Sequence, residues 1–396
     1  MSDIIFSRLR PAQSVAPGWP FLLRGALAVA ALGAAGWFFT AVDRVPLVVI
    51  GLTLGVALFH ASFGFAHGFR VLITEGRSAH VRAQLLMLGV AVLLFFPALA
   101  AGEVAGQTVR GFVFPLGVGV IVGAFLFGIG MQIAGGCISG TLYTAGGGSL
   151  KMAVTLVSAI GGATLAAYTF PVWGDWPALP GVSLIETLGA APALALNLAV
   201  FAALFAVLTL RERRRHGSAA PIFGKGRLLT GPWPYAWAAL ALAVLNFATL
   251  LAAGRPWGVT QAFATWGSLA LQSAGQADPV FWPYWEEPVR VDFLLRPLTG
   301  DATTIMNVAV LTGALVAALA AGRFATRVPL RIGAFVGAVI GGGLLGFGAI
   351  MATGCNISAF FSGIASGSLH GWLWIAAALP GVLVGLRLRP LFGLDR

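Results

Sequence analysis

Apolar residues run along this chain in stretches of about 20, parted by short segments that collect arginine, glycine and proline. Ten such stretches are predicted as spans, at about 21–41, 46–68, 82–101, 112–134, 150–170, 189–210, 233–253, 303–321, 331–352 and 370–388. Each is long enough to carry a helix across a hydrocarbon core of roughly 30 Å. The runs are continuous rather than alternating, which predicts helices and not the strands of an outer-membrane barrel. The first run is too long for the apolar region of a signal peptide and is expected to stay as a span. The expected fold is all-α: a polytopic membrane protein of about ten transmembrane helices.

Charge orders these spans. With the N-terminus in the cytoplasm, 19 of the 24 Lys and Arg fall on the inner side, Arg8, Arg10 and Arg24 before the first span among them, and 5 on the outer side. That bias predicts cytoplasmic N- and C-termini in a bacterial inner membrane. The basic segment RERRRHGSAAPIFGKGR (211–227) then reads as part of a cytoplasmic linker over 211–232, and the aromatic, acidic stretch around 275–301 as an outer loop anchored at the interface.

The same order puts two similar segments on opposite sides. GIGMQIAGGC (128–137) aligns with GFGAIMATGC (346–355), with glycine nine, seven and one residues before each cysteine. A weaker pair is FGFAHGF (63–69) with QAFATWG (261–267). An odd number of spans per half inverts the second half, so five plus five is the predicted arrangement. The first repeat occupies 1–210, with the sixth span opening the second at about 189, and the second continues over 233–396.

Composition narrows the function. At 58% hydrophobic and 9% charged residues, the chain is far from the soluble range, where roughly a quarter of residues are charged. The net charge of +11 is scattered between spans rather than gathered on one domain, so nucleic acid is not an expected partner. Two cysteines without CxxC spacing predict neither a disulfide framework nor a metal site, and no cofactor is expected.

Each cysteine is followed by residues rich in Gly, Ser and Thr, too few to cross the membrane, over 135–149 and 353–368. Such backbone is tolerated at membrane depth only inside protein or along a wet cavity, which predicts two re-entrant loops meeting near the midplane. Half-helix N-termini there would offer free N–H groups to an anion. A thiol among apolar neighbours stays neutral and presents a soft, polarizable surface, suited to a sulfur-containing anion that must pass and be released. The candidate pathway residues are Cys137 and Cys355 with Gly136, Ser139, Gly140, Thr141, Gly354, Asn356 and Ser358 beside them, and Gln132, Thr353, His67 and Gln261 nearby. His60 and His67, seven apart near the inner end of the second span, could share a helix face.

GIGMQIAGGCISGTLYTAGGGS, GFGAIMATGCNISAFFSGIASGS and FGFAHGFRVLITEGR resemble the motifs of the YeeE/YedE sulfur-transport family over about residues 46–388. The resemblance implies an inverted-repeat helical fold, uptake of thiosulfate across the bacterial inner membrane, and Cys137 and Cys355 as relay thiols making S–H···S contacts. Thiosulfate-transporting members carry a further pathway cysteine, which this chain lacks, so another sulfur or selenium compound is the alternative solute. A membrane thiol oxidoreductase is a weaker alternative, and a non-enzymatic transporter the main expectation. The expected partners are the anion, the lipid bilayer and a cytoplasmic sulfur-carrier or sulfurtransferase protein.

Moving a dianion inward against about 100 mV costs roughly 4.6 kcal/mol. The thirteen acidic residues all fall in loops or at span ends, so no intramembrane carboxylate offers ion coupling. Facilitated passage is expected, with proton coupling through His67 as the rival.

Overall fold

A computed structural model describes residues 19–324 and 331–395, with side chains from Gly25 onward. Arg8, Arg10, Arg327 and Arg396, which contribute to the charge bias, lie outside the described residues, as does the side chain of Arg24.

The protein is helical almost throughout. The first seven helices are α1 (Trp19–Thr40), α2 (Val45–Ala61), α3 (Phe65–Thr74), α4 (Ala79–Ala101), α5 (Val118–Ala134), α6 (Ile138–Gly146) and α7 (Leu150–Tyr168). Short helices α8 (Phe170–Trp173) and α9 (Leu184–Leu188) lead to the long α10 (Ala190–His216), then α11 (Tyr235–Ala253) and α12 (Gln261–Ser273). The chain closes with α13 (Pro288–Leu295), α14 (Ala302–Ala320), α15 (Ile332–Met351), a π-turn (Asn356–Phe361), α16 (Ser362–Ala365) and α17 (Leu369–Leu388). Two-residue strands form a hairpin, β1 (Glu103–Val104) with β2 (Gln107–Thr108), and pair β3 (Leu116–Gly117) with β4 (Ala178–Leu179). Among the described residues, nine segments are long and apolar enough to cross a membrane, and Gly25–Thr40 of α1 is a shorter apolar helix.

The long helices pair across the chain: α2 on α14, α4 on α11, α5 on both α15 and α17, and α7 on α15. In lipid the hydrophobic effect does not drive helices together, so close approach of backbones supplies the association. Glycines make that approach possible. A Cβ on Gly346 would stand 1.9 Å from the Ala159 carbonyl oxygen of α7, and one on Gly342 2.5 Å from that of Thr155. On another face of α15, Gly348 sits as tightly against the Gly123 carbonyl of α5. Gly381 and Gly385 of α17 press onto Phe125 and Ile129 of α5 in the same way.

Several boundaries differ from the sequence-based expectation. The predicted span 46–68 is two helices, because Ser62 turns left-handed (φ 48°) after Ala61 and the chain restarts at Phe65. His60 and His67 therefore do not share one helix face. Residues 112–117 precede α5 as extended chain, held in part by the β3–β4 pair. The segments 135–149 and 353–368, expected to be irregular, are mostly folded into α6, the π-turn and α16.

The largest departure is at 211–216, expected as linker but helical as the end of α10. It carries Glu212, whose side chain is fully buried. Glu212 accepts from the Ser78 hydroxyl and N–H, pairs with Arg82 at 3.3 Å and Arg77 at 3.5 Å, and accepts from the Ala220 N–H at 3.1 Å. The carboxylate thus ties α4 and the linker together, and its helical placement had no sequence signal beyond the continuing polar run.

Removing a buried partner leaves the other charge uncompensated, so Glu212→Ala is expected to destabilise the protein by about 3–5 kcal/mol. Thermal unfolding in detergent reads this as a large fall in Tm, with Glu212→Gln intermediate. Gly346→Ala is expected to cost about 1–3 kcal/mol or more, since the methyl meets backbone rather than a movable side chain. An unchanged Tm for that variant would refute the backbone seam between α7 and α15.

Candidate functional site

Both cysteines are built the same way. At Gly135 the chain turns left-handed (φ 84°) after α5, and Cys137, extended (φ −87°, ψ 179°), caps α6. The Gly140 N–H donates to its sulfur at 3.4 Å, and the Ser139 hydroxyl lies 3.4 Å away. After α15, Thr353 (φ 53°) and Gly354 (φ 147°) take positive-φ conformations, and Cys355 is extended and caps the π-turn. The Ser358 hydroxyl accepts from the Cys355 N–H at 3.0 Å and sits 3.7 Å from the sulfur. A non-glycine residue held at positive φ, as Thr353 is, carries strain of order 1–3 kcal/mol and persists only where the surroundings impose it.

Those surroundings come from α17. The indole N–H of Trp374 donates to the Gly354 carbonyl at 3.0 Å, and the His370 ring nitrogen Nε2 lies 3.0 Å from the Ala352 carbonyl. These bonds tie down carbonyls that the end of α15 leaves free. Trp374 and His370 are fully buried, and sequence reasoning missed both; the His-Gly-Trp-Leu-Trp run (370–374) after the second motif was the available signal.

The two caps are neighbours. α6 packs against the π-turn, and both cysteines that open them are buried. The start of α3 joins them: Phe65 and Phe360 make an edge contact at 6.1 Å, Phe360 stacks on Trp374 at 6.5 Å, and the Tyr143 hydroxyl lies beside Gly64.

Two buried polar side chains there lack partners. The Thr141 hydroxyl and both amide atoms of Asn356 are sealed from solvent with no hydrogen bond among the described residues. Buried polar groups are nearly always bonded, because an unmet one costs about 1–3 kcal/mol. Thr141 lies beside Gly136, two of the residues singled out from the sequence.

Other candidates stand elsewhere. Gln132 is buried and donates to the Ala66 carbonyl at 3.1 Å, pinning α3 to α5. Thr353 is exposed. His67 is exposed too, 2.9 Å from an Arg70 nitrogen, with its ring edge-on to His80 at 4.9 Å. Gln261 opens α12 and accepts from the Tyr284 hydroxyl at 3.1 Å, while its amide nitrogen is buried without a partner. Burial pushes the Tyr284 phenol up, against the pull of Arg290, whose guanidinium lies 4.6 Å over the ring.

A cavity of about 460 Å³ opens beside the β1–β2 hairpin, with Arg110, Phe112 and Arg255 in its wall. Arg255 bonds the Thr303 hydroxyl at 2.9 Å and lies 3.6 Å from Asp301. Burial draws its pKa down, while Asp301 works in the other direction. At the cavity floor the Phe112 N–H donates to Ser366, just past α16.

A thiosulfate transporter, TsuA, of Spirochaeta thermophila is 28% identical over 344 residues, 82% of this chain and 93% of that protein. A probable transporter, YedE, of Salmonella typhimurium is 35% identical over 166 residues, which span 40% of this chain and only 39% of that protein. The TsuA of Escherichia coli is 29% identical over 109 residues, 28% of this chain. Residues 60–384, which contain both cysteine caps, match the family described as sulphur transport. This multi-pass membrane protein is a member of the sulphur-transport family.

Proposed function

We propose that the protein takes up thiosulfate, or a closely related sulfur anion, across the inner membrane, handing it between neutral thiols at Cys137 and Cys355. The observation that carries this reading is the pair of matching caps. Two buried thiols, each with a hydroxyl within 4 Å, open neighbouring elements that also carry the unpartnered groups of Thr141 and Asn356. An anion with a soft terminal sulfur and hydrogen-bond-accepting oxygens would satisfy that set: thiols donate to the sulfur, while hydroxyl and amide donors meet the oxygens. No full charge stands among these side chains, so the solute is held weakly enough to leave. The name of the Spirochaeta relative supports thiosulfate among sulfur solutes.

The five-plus-five inverted repeat is part of this proposal. Exchanging α2 with α11, α4 with α14, α5 with α15 and α7 with α17 turns the packing of α2 on α14 into that of α11 on α4. It turns α5 on α17 into α15 on α7. In this reading the first repeat lies within 1–210, the sixth span opens the second at about 189, the basic linker 211–232 follows it and the second repeat continues over 233–396, while 135–149 and 353–368 enter from opposite sides with both termini in the cytoplasm. Passage is facilitated rather than proton-coupled, since His67 is exposed at the edge of the site.

Uptake of labelled thiosulfate into proteoliposomes tests the thiols. Cys137→Ala and Cys355→Ala are each expected to cut the rate by about tenfold or more, the loss of roughly 1.4 kcal/mol or more of transient binding. Full uptake by both folded variants would overturn the relay. Thr141→Val is expected to separate stability from function. Removing an unmet buried hydroxyl raises Tm, by about 1 kcal/mol of stability, while uptake falls. A lower Tm for this variant would mean that the hydroxyl serves the fold instead.

A further inference from the structure

The thiol passage leaves one group of charges without a task. Arg70 in α3, Lys151 in the first turn of α7 and Arg389 just past α17 come from three separate elements; Lys151 and Arg389 reach the end of α5, and α3 is tied to the same turn. Arg389 donates to the Gln132 carbonyl and to the Asp395 carbonyl, each at 2.6 Å. The Gln132 side chain holds Ala66, which brings α3 against the same turn, and Arg70 reaches back to His67 at 2.9 Å. The Lys151 ammonium lies over Gly135, 3.2 Å from where a Cβ would stand and two residues from Cys137.

Carboxylates do not balance them. Glu75 acts on His67 and Asp395 on Arg389, but among the described residues none of the three cations forms an ion pair. Helix C-termini attract cations, and the end of α5 would account for one. It does not account for three, and Arg389 is only 5% exposed. A buried guanidinium at the same helix end as the Lys151 ammonium, with only carbonyls as partners among the described residues, is a costly arrangement that an anion would relieve. The unpartnered Thr141 hydroxyl, buried beside Gly136, is one more donor at this edge.

The cations are not copied by the second half. In the register set by the two cysteines, Leu369 stands where Lys151 does, and in that of the weaker motif pair Ser268 stands where Arg70 does. The charge therefore belongs to the Cys137 end alone.

We propose that Arg70, Lys151 and Arg389 form an oxyanion site at the Cys137 end, separate from the thiols, that binds a doubly charged tetrahedral oxyanion such as sulfate or thiosulfate. Its meaning for transport rests on the passage proposed above: at the end that the charge bias assigns to the cytoplasm, the site receives the dianion leaving Cys137 and offsets the opposing potential there. Cytoplasmic sulfate, of the same charge and shape, competes for it and slows uptake.

Thermal unfolding of the full-length protein in detergent tests the binding, with sodium sulfate titrated against sodium chloride at equal ionic strength. A saturable rise in unfolding temperature is expected for the wild type. Arg70→Gln and Lys151→Gln each weaken the apparent sulfate affinity by about tenfold, the worth of one charge-assisted contact, whereas Lys151→Arg keeps it. No saturable rise, or an unchanged affinity in both charge-removing variants even if their stability falls, would overturn the site and leave helix-capping charges. The readout is binding and not uptake. Failure of thiosulfate to cross, with sulfate binding still dependent on Lys151, would refute the passage and leave this site standing.

Discussion

A helix that stops inside a bilayer strands the polar groups of its last turn and exposes the N–H groups of whatever follows. Both cysteine segments answer that constraint. At Cys137 the turn is made by two glycines and a thiol that accepts from the Gly140 N–H. At Cys355 it is made by a strained threonine, a glycine and a reciprocal bond with Ser358, while Trp374 and His370 secure the carbonyls left behind. The thiol takes the place that Ser, Asp or Asn usually fills at a helix start. A hydroxyl or carboxylate would bond its own backbone more strongly; sulfur is a weaker acceptor and stays available to a soft solute.

The rest of the molecule holds these two caps against each other. α5 and α15 lead into them, and each is gripped on more than one side through glycine, α15 by α5 and α7, α5 by α15 and α17. Dispersion and close backbone contact do this work, since lipid is as apolar as leucine. Polar locks are kept for the margins: the Glu212 cluster at the end of α10, and Arg255 with Asp301 and Thr303 by the cavity beside the β1–β2 hairpin.

Much of this was legible in the chain. Long apolar runs and the two aligned motifs give the spans and the residues of the caps, because hydropathy and glycine spacing report directly on lipid and on backbone approach. Where short-range chemistry competes with hydropathy, the reading fails. Ser62 breaks a run that stays apolar through Phe69, so one expected span became two helices. The glycine and hydroxyl content of 135–149 suggested irregular chain, but a well-placed cap is enough to start a helix there. Gln132 was singled out for its place five residues before Cys137; the bond it donates to the Ala66 carbonyl, distant in sequence, could not be seen. Glu212 was placed in a linker because its partners Ser78 and Arg82 come from another helix.

The glycine seams have a mechanical consequence. Helices that touch through side chains can slide by repacking rotamers, but α15 meets α7 and α5 at Gly346 and Gly348 with carbonyl oxygens filling the space where a side chain would be. Shear along such a contact drives one backbone into the next and has no rotamer to relax it. The long helices thus behave as a fixed frame that extends to the caps, since Gly146 of α6 packs on the Leu311 carbonyl of α14 and Gly371 of α17 on the Ala359 carbonyl of the π-turn. Freedom to move is left to segments joined by side chains, such as the one whose Tyr284 hydroxyl donates to Gln261.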